Sequence, residues 1–131
     1  MKIDDHSPHY RFIYKDLKRI LREKDSVGDT KVRFISTGLR SRNDTQFRHV
    51  SLEFVDSKKN LHVSEIYSNF TINSVWKDQF SIALPNIDNS IQDVLELEES
   101  LPSLYLLGVR DCRHHVSDML KLCYYPLEKK L

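Results

Sequence analysis

Apolar residues recur at three- and four-residue steps in three segments of the chain, which is the pattern of helices that bury one face. The first segment, 14–24, carries its apolar residues among lysines and arginines, which predicts an amphipathic surface helix. The second is capped by Asp88 or Asn89 and stops before Pro102. The third closes the chain and ends near Tyr124.

Alternation of apolar and polar residues predicts a small antiparallel sheet between the first and second helices. The clearest strand is 48–55, in which Val50, Leu52 and Phe54 face one way and polar residues face the other. A turn at 56–60 makes the next strand its hairpin partner. The other predicted strands are 32–36, 61–67, 70–75 and 79–84, the last of which ends at Pro85.

The predicted order is an N-terminal helix, a small antiparallel sheet, a middle helix and a C-terminal helix, which makes an α+β domain. A polar loop is expected at 37–46, where glycine, serine, asparagine and aspartate are frequent. A chain of 131 residues can bury one hydrophobic core. We therefore expect a single domain over residues 10–131, preceded by a flexible tail over residues 1–9.

Charge and composition argue against several classes of function. The 20 lysines and arginines against 19 acidic residues give a formal net charge of +1, so no overall field favours nucleic acid or an anionic membrane. The three glycines form no Gly-rich phosphate loop. No apolar run approaches the ~20 residues of a membrane-spanning helix. We expect no nucleic-acid partner, no transmembrane segment and no cofactor.

The two cysteines, Cys112 and Cys123, are expected to be unpaired. Eleven positions apart on one predicted helix, they would stand about 16 Å apart. A disulfide needs Cα atoms within about 7 Å, so these two thiols cannot bridge each other. Unpaired thiols predict the cytoplasm or another reducing intracellular compartment. We expect Cys123 to be a small apolar residue of the core.

The stretch from Tyr105 to Val116 carries the candidate chemistry, because it places a thiol at the start of a helix. Asp111 is a favoured N-cap residue, which makes Cys112 the first helical residue. Unpaired amides and the helix dipole favour a thiolate there. A thiol enzyme also needs a base, and the strand at 48–55 offers His49. In such a couple the histidine takes the thiol proton and later protonates the leaving group.

The run Asp111-Cys112-Arg113-His114, preceded by Tyr105 at seven residues before the cysteine, resembles the signature of the circularly permuted papain-like families. These include NlpC-type relatives, lecithin:retinol acyltransferase-like enzymes and PPPDDE-type peptidases. Their shared pattern has an Asn-Cys-x-His-Phe core, and a histidine strand precedes the cysteine helix, as His49 does here. The resemblance implies a permuted papain-like fold and a thiol hydrolase or acyl transferase.

Two positions depart from that pattern. Asp111 replaces the asparagine, and its carboxylate would oppose a thiolate if it pointed at the sulfur rather than at the cap amides. His115 replaces the phenylalanine and puts a polar ring where the families bury an aromatic one. A non-catalytic binding or scaffold domain of the same fold, with a protein partner, is therefore the alternative to an enzyme acting on an acyl or peptide substrate.

The third catalytic residue is His62 or Glu65. In the acyltransferase-like group a second histidine on the next strand orients the first, which favours His62 by order. If the hairpin pairs so that Leu61 and Val63 share the apolar face, His62 lies on the face of His49. A one-residue shift in register would instead bring Glu65 to that face. We predict Cys112, His49 and His62 as the catalytic set, with Glu65 as the alternative.

Zinc coordination by Cys112, His114, His115 and His49 is a rival interpretation. The ligand types would suit a tetrahedral site. Neighbouring helical positions point their side chains apart, however, and the chain has no CxxC or HxxxH pair. We therefore expect no metal.

Overall fold

The computed structural model of the protein describes residues 10–40, 46–67, 75–107 and 109–128. This part of the chain forms three helices and four strands. They are α1 (Arg11–Glu23), β1 (Thr30–Arg40), β2 (Gln46–Val55), β3 (Leu61–Ser64), β4 (Val75–Ile87), α2 (Ile91–Glu99) and α3 (Cys112–Tyr124). The predicted α+β class, with one helix before the sheet and two after it, is confirmed. The tail over residues 1–9 lies outside the described residues, as does most of the predicted strand 70–75.

The four strands form one antiparallel sheet in the order β3-β2-β1-β4. β1 is longer than the predicted strand, because Thr37 pairs with His49 of β2 on one side and with Gln79 of β4 on the other. Residues 37–40 and Gln46 therefore belong to strands, and their prediction as a loop was wrong. Pairing on both sides overrides the loop-like composition of this segment.

β4 also runs past the residue expected to end it. Pro85 lies inside β4, which is an edge strand, where a residue without an N–H breaks no ladder on its solvent side. The register with β1 moves from Val32–Leu84 to Thr30–Ile87, so β4 holds an extra residue there. This irregularity accommodates Pro85 within the strand.

The β2–β3 hairpin is closed by a turn that Asp56 organises. Its Oδ1 accepts the amides of Lys58 at 3.0 Å and of Asn60 at 2.8 Å. Lys59 takes a positive φ of 69°, a left-handed conformation uncommon for a residue with a side chain. After this turn, His62 pairs with Phe54 and Ser64 pairs with Leu52.

The core lies between the sheet and the helices. Its fully buried residues from the sheet and from two of the helices are Ile13, Leu17, Ile20, Phe34, Val50, Leu52, Phe54, Val116, Met119 and Leu120. On its polar side, Ser117 of α3 donates to Asp16 of α1 at 2.7 Å and ties the two helices together. Cys123 packs against this core, as predicted, and burial raises its pKa to about 12.

Two smaller features fix how the helices join the sheet. α2 is capped by Ser90 rather than by Asp88 or Asn89, since the Ser90 hydroxyl accepts from the amide of Asp93 at 3.1 Å. Gly28 lies so close to β4 that a Cβ there would come 2.4 Å from the Cα of Asp88. Among the described helices, none is long and apolar enough to cross a lipid bilayer.

Candidate active site

Asp111 caps α3, and Cys112 is the first residue of that helix, as the sequence predicted. The Asp111 carboxylate accepts the amide of Arg113 at 3.0 Å. In return, Nδ1 of His114 accepts the amide of Asp111 at 3.1 Å, which completes a capping box. Local capping chemistry thus sets the position of the thiol at the helix start.

The Asp111 carboxylate is directed at the cap and at a guanidinium. It is 1% exposed, and Nε of Arg113 donates to it at 2.9 Å. That hydrogen bond raises the pKa of Arg113. Because Arg113 balances the buried negative charge, the carboxylate is already compensated beside Cys112.

The structure brings Cys112, His49 and Glu65 together. Nε2 of His49 donates to Oε1 of Glu65 at 3.0 Å, and Cys112 lies close enough to His49 to help raise the pKa of the imidazole. The helix start and the strand that the sequence suggested for a thiol and its base therefore meet.

The surroundings of His49 act on its proton affinity in opposite directions. Burial of the ring lowers its pKa, because a charged imidazole loses its hydration. The hydrogen bonds and charges of Cys112 and Glu65 outweigh burial and raise the pKa to about 9. His49 is thus held as an imidazolium at neutral pH.

His62 lies elsewhere. It pairs with Phe54 in the hairpin and so shares the side of Phe54, which makes the expectation that it shares a face with His49 wrong. Its Nε2 is 2.9 Å from Oε2 of Glu98 on α2. Continuing the register by one residue puts Glu65 opposite Ser51 instead, on the side of His49.

Two tyrosines border the couple. The hydroxyl of Tyr10 accepts the amide of Arg48 at 2.8 Å and donates to the carbonyl of Arg48 at 2.9 Å. It thereby bonds the backbone of β2 next to His49, beyond the point where pairing with β3 ends. The ring of Tyr67 meets the His49 ring edge-on, with centroids 6.4 Å apart. These contacts fix the backbone of β2 beside His49 and one side of its ring.

A tight turn leads into the helix start. The amide of Leu106 donates to the carbonyl of Arg110 at 2.8 Å, and the reverse bond measures 2.6 Å. The apolar side chains on this turn are exposed to solvent, and they are Leu104, Leu106, Leu107 and Val109. The turn therefore presents an apolar surface that ends three residues before the thiol.

Access to the couple is narrow. Cys112 is 5% exposed and His49 is 3% exposed. The cap uses the amides of Arg113 and His114, so the amide of Cys112 is the first-turn donor that Asp111 does not occupy. Oxyanion stabilisation by the helix start would thus depend on the amide of Cys112 itself.

A cleft of about 620 Å³ opens at the other end of the sheet, lined in part by Gly28, Asp56 and Ser90. Thr30 also lines it, seven residues along β1 from Thr37, the partner of His49. At strand spacing this is about 23 Å, so the cleft is remote from the thiol.

Comparison with protein-family models, with curated proteins and with solved structures finds no match.

The remaining histidines of α3 have separate partners. His114 belongs to the cap, and its ring lies 5.4 Å from that of Phe12. His115 is buried, and its Nε2 lies 2.8 Å from the hydroxyl of Ser64. Within the described residues, no group of three histidine, cysteine or acidic side chains could hold a metal ion.

Sequence reasoning missed two contributors to this site. Tyr10 gave no signal, because its bonds go to backbone atoms of β2 far away in sequence. The Ser64–His115 bond was also missed, although a histidine among apolar helix positions was visible at 115.

Proposed function

We propose that the protein is a thiol hydrolase or acyl transferase of the permuted papain-like type. Cys112 is the nucleophile, His49 is the general acid and base, and Glu65 orients the imidazole. The substrate is an ester, thioester or (iso)peptide carbonyl. Exposed Leu107 and Val109, on the turn that leads into Cys112, offer an apolar contact for the acyl or peptide group.

The reaction divides into two steps. The Cys112 thiolate attacks the carbonyl carbon, and the amide of Cys112 donates to the developing oxyanion. The tetrahedral intermediate collapses to a thioester as the bond to the leaving group breaks and the His49 imidazolium gives that group a proton. Neutral His49 then takes a proton from water or an acceptor nucleophile, which attacks the thioester and releases the thiolate.

One observation carries the proposal, namely that His49 bonds the carboxylate of Glu65 at 3.0 Å while Cys112 acts on the same imidazole. An imidazole between a thiol and a carboxylate can hold a proton in transit, and the raised pKa of His49 supplies the imidazolium that the first step needs. A catalytic triad has this general arrangement in space: a nucleophile, then a base, then a group that orients the base.

Burial of the couple favours a second candidate, a non-catalytic binding or scaffold domain on the same architecture. With Cys112 and His49 both nearly covered, the same hydrogen bonds could serve as a buried polar network that fixes the packing of α3 on β2. The reactivity of the thiol separates the two candidates.

The test compares alkylation of Cys112 by iodoacetamide at pH 6.5 in the parent, His49→Ala and Glu65→Gln, with the modified peptide quantified by mass spectrometry. We expect the parent to react fastest, with losses of about 10-fold or more in His49→Ala, because the imidazolium stabilises the reactive thiolate. Glu65→Gln should lie between them. Equal rates in all three proteins would favour the binding domain.

The second cysteine provides the internal control. Burial raises the pKa of Cys123, so its peptide should remain unmodified under the same conditions. For an identified carbonyl substrate, Cys112→Ala should abolish turnover while the protein still unfolds in a cooperative thermal transition. Turnover that persists in Cys112→Ala would contradict the assignment of the nucleophile.

A further inference from the structure

Ser64 and His115 form a buried polar pair beneath the candidate active site. The Ser64 hydroxyl lies 2.8 Å from Nε2 of His115, and the two residues are 0% and 2% exposed. Burying polar groups opposes folding unless they are bonded to each other. Nδ1 of His115 is itself buried without a hydrogen-bond partner among the described residues. An apolar side chain would be easier to bury at this position.

The pair joins the two elements whose residues act on His49. Ser64 is the last residue of β3, and the next residue, Glu65, bonds Nε2 of His49. His115 lies one helical turn after Cys112 on α3, a rise of about 4.5 Å. The Ser64–His115 bond therefore links the backbone next to Glu65 to the helix that carries the thiol.

α2 reinforces the same point. Oε2 of Glu98 is 2.9 Å from Nε2 of His62 on β3 and 3.9 Å from Nε2 of His115. Burial lowers the pKa of His115, which keeps this ring neutral at physiological pH. A neutral ring can bond the hydroxyl of Ser64 without adding a positive charge behind Cys112.

We propose that the Ser64–His115 hydrogen bond is a positioning device, which locks β3 to α3 so that Glu65 and Cys112 engage the same imidazole. This role deepens the proposed function and rests on it for its catalytic meaning. Ser64 and His115 bond each other rather than His49. They act by holding Glu65 within reach of His49.

Four variants test the role, namely Ser64→Ala, His115→Phe, the double variant that combines them, and Ser117→Ala. Each single variant at the pair leaves one buried polar group without its partner, whereas the double variant removes both. Ser117→Ala is the matched control, because it also removes a buried serine hydroxyl. This hydroxyl belongs to α3 and bonds Asp16 rather than the Glu65 side of the site.

Three readouts are needed, namely thermal unfolding, the alkylation rate of Cys112 at pH 6.5, and the titration of the His49 ring by NMR. In both single variants and in the double variant, we expect alkylation to slow about 10- to 100-fold, since small misplacements of reacting groups have effects of this size. The His49 titration should move from about 9 toward the ordinary histidine value. Ser117→Ala should melt at a lower temperature than the parent, but its alkylation rate at Cys112 and its His49 titration should match the parent's.

The double variant decides between positioning and mere stability. We expect the melting temperature of the double variant to be closer to that of the parent than either single variant's is. Its Cys112 should still be alkylated slowly, and the pKa of its His49 should still lie below the parent's. Recovery of the parent's rate and titration together with stability would overturn the positioning role.

Failure of the proposed function has a different signature. If Cys112 reacts no faster in the parent than in His49→Ala, the thiol is not activated and the enzyme proposal fails. The His49 titration then decides the positioning role by itself, because it reports the Glu65 contact without any turnover. If the pKa of His49 is the same in the double variant as in the parent, the positioning role is overturned in that case as well.

Discussion

At the scale of single residues, His49 concentrates the electrostatics of the site. Its ring is buried, yet it meets a carboxylate from the end of β3 and a thiol from the start of α3. Each partner stabilises the imidazolium, so loss of either one should return the ring toward the neutral form that burial prefers. The protonation of His49 thus depends on residues from β2, from the end of β3 and from the start of α3.

This proton makes stability depend on pH. Folded His49 keeps its proton up to about pH 9, whereas an unfolded histidine releases it near pH 6.5. Between these values the native state binds more protons, so the contribution of His49 to stability is full below about pH 6.5 and is lost as the pH rises through 9. Urea unfolding at pH 6, 7.5 and 9 should show this decline in the parent.

His49→Gln is the comparison, because it removes the titrating group and keeps a polar side chain. The parent should lose unfolding free energy relative to His49→Gln as the pH rises from 6 to 9. A difference that stays constant over this range would show that His49 titrates alike in the folded and unfolded chain.

Local chemistry explains which residues could be predicted. Asp111 and Cys112 were located correctly because a cap and the following helix are specified by neighbouring residues. The choice between His62 and Glu65 depended on the pairing of two strands, which the residues themselves do not reveal. Only the register of the hairpin shows that Glu65, and not His62, contacts His49.

At the scale of elements, strand pairing and position in the sheet determine where strands begin and end, which the composition does not. β1 extends through a segment with a loop-like composition because both neighbouring strands pair with it, and Pro85 is accepted because β4 is an edge. The α+β order and the final helix were predictable from periodicity alone. Strand lengths were not, because they depend on partners distant in sequence.

The link between α1 and β1 provides a test at this scale. A Cβ at Gly28 would come 2.4 Å from the Cα of Asp88 and 2.5 Å from the carbonyl of Ile87, both of which are backbone atoms that cannot easily move. Gly28→Ala should therefore destabilise the protein by about 1–3 kcal/mol, the usual range for overpacking. Chemical denaturation of the parent and the variant measures this difference.

Gly38→Ala is the matched control. The added Cβ would also approach another atom to 2.5 Å, but that atom is the side-chain oxygen of Asp78, which is 71% exposed and can rotate away. We expect a smaller loss than at Gly28. An equal loss at both positions would argue that backbone contact is not the reason.

At the scale of the whole molecule, the chain brings the starts of its first and last helices to the end of β2 that β3 leaves unpaired. β3 is only four residues long, and its pairing with β2 ends at Leu52–Ser64. Beyond that point Tyr10, just before α1, bonds the backbone of Arg48, while the start of α3 reaches His49. A short strand thus leaves room at the edge of β2 for the starts of both helices.

Tyr10→Phe tests this closure. The change leaves the N–H and C=O of Arg48 without their partner in a half-buried setting, which should reduce stability by about 1–2 kcal/mol. Tyr125→Phe removes a hydroxyl that bonds the exposed carboxylate of Glu23, where water can replace it, and should cost less. Equal melting temperatures of the two variants would mean that Tyr10 does not hold the edge of β2.

The turn organised by Asp56 has a further consequence for the tolerance of the chain to insertion and deletion. Most surface connections accept a change in length at little cost. Here, one residue more or less between Val55 and Leu61 would shift every β3 side chain to the opposite side of the sheet. Glu65 would then turn away from His49 and Ser64 from α3, so the length of a solvent-facing connection controls the buried contact between Glu65 and His49.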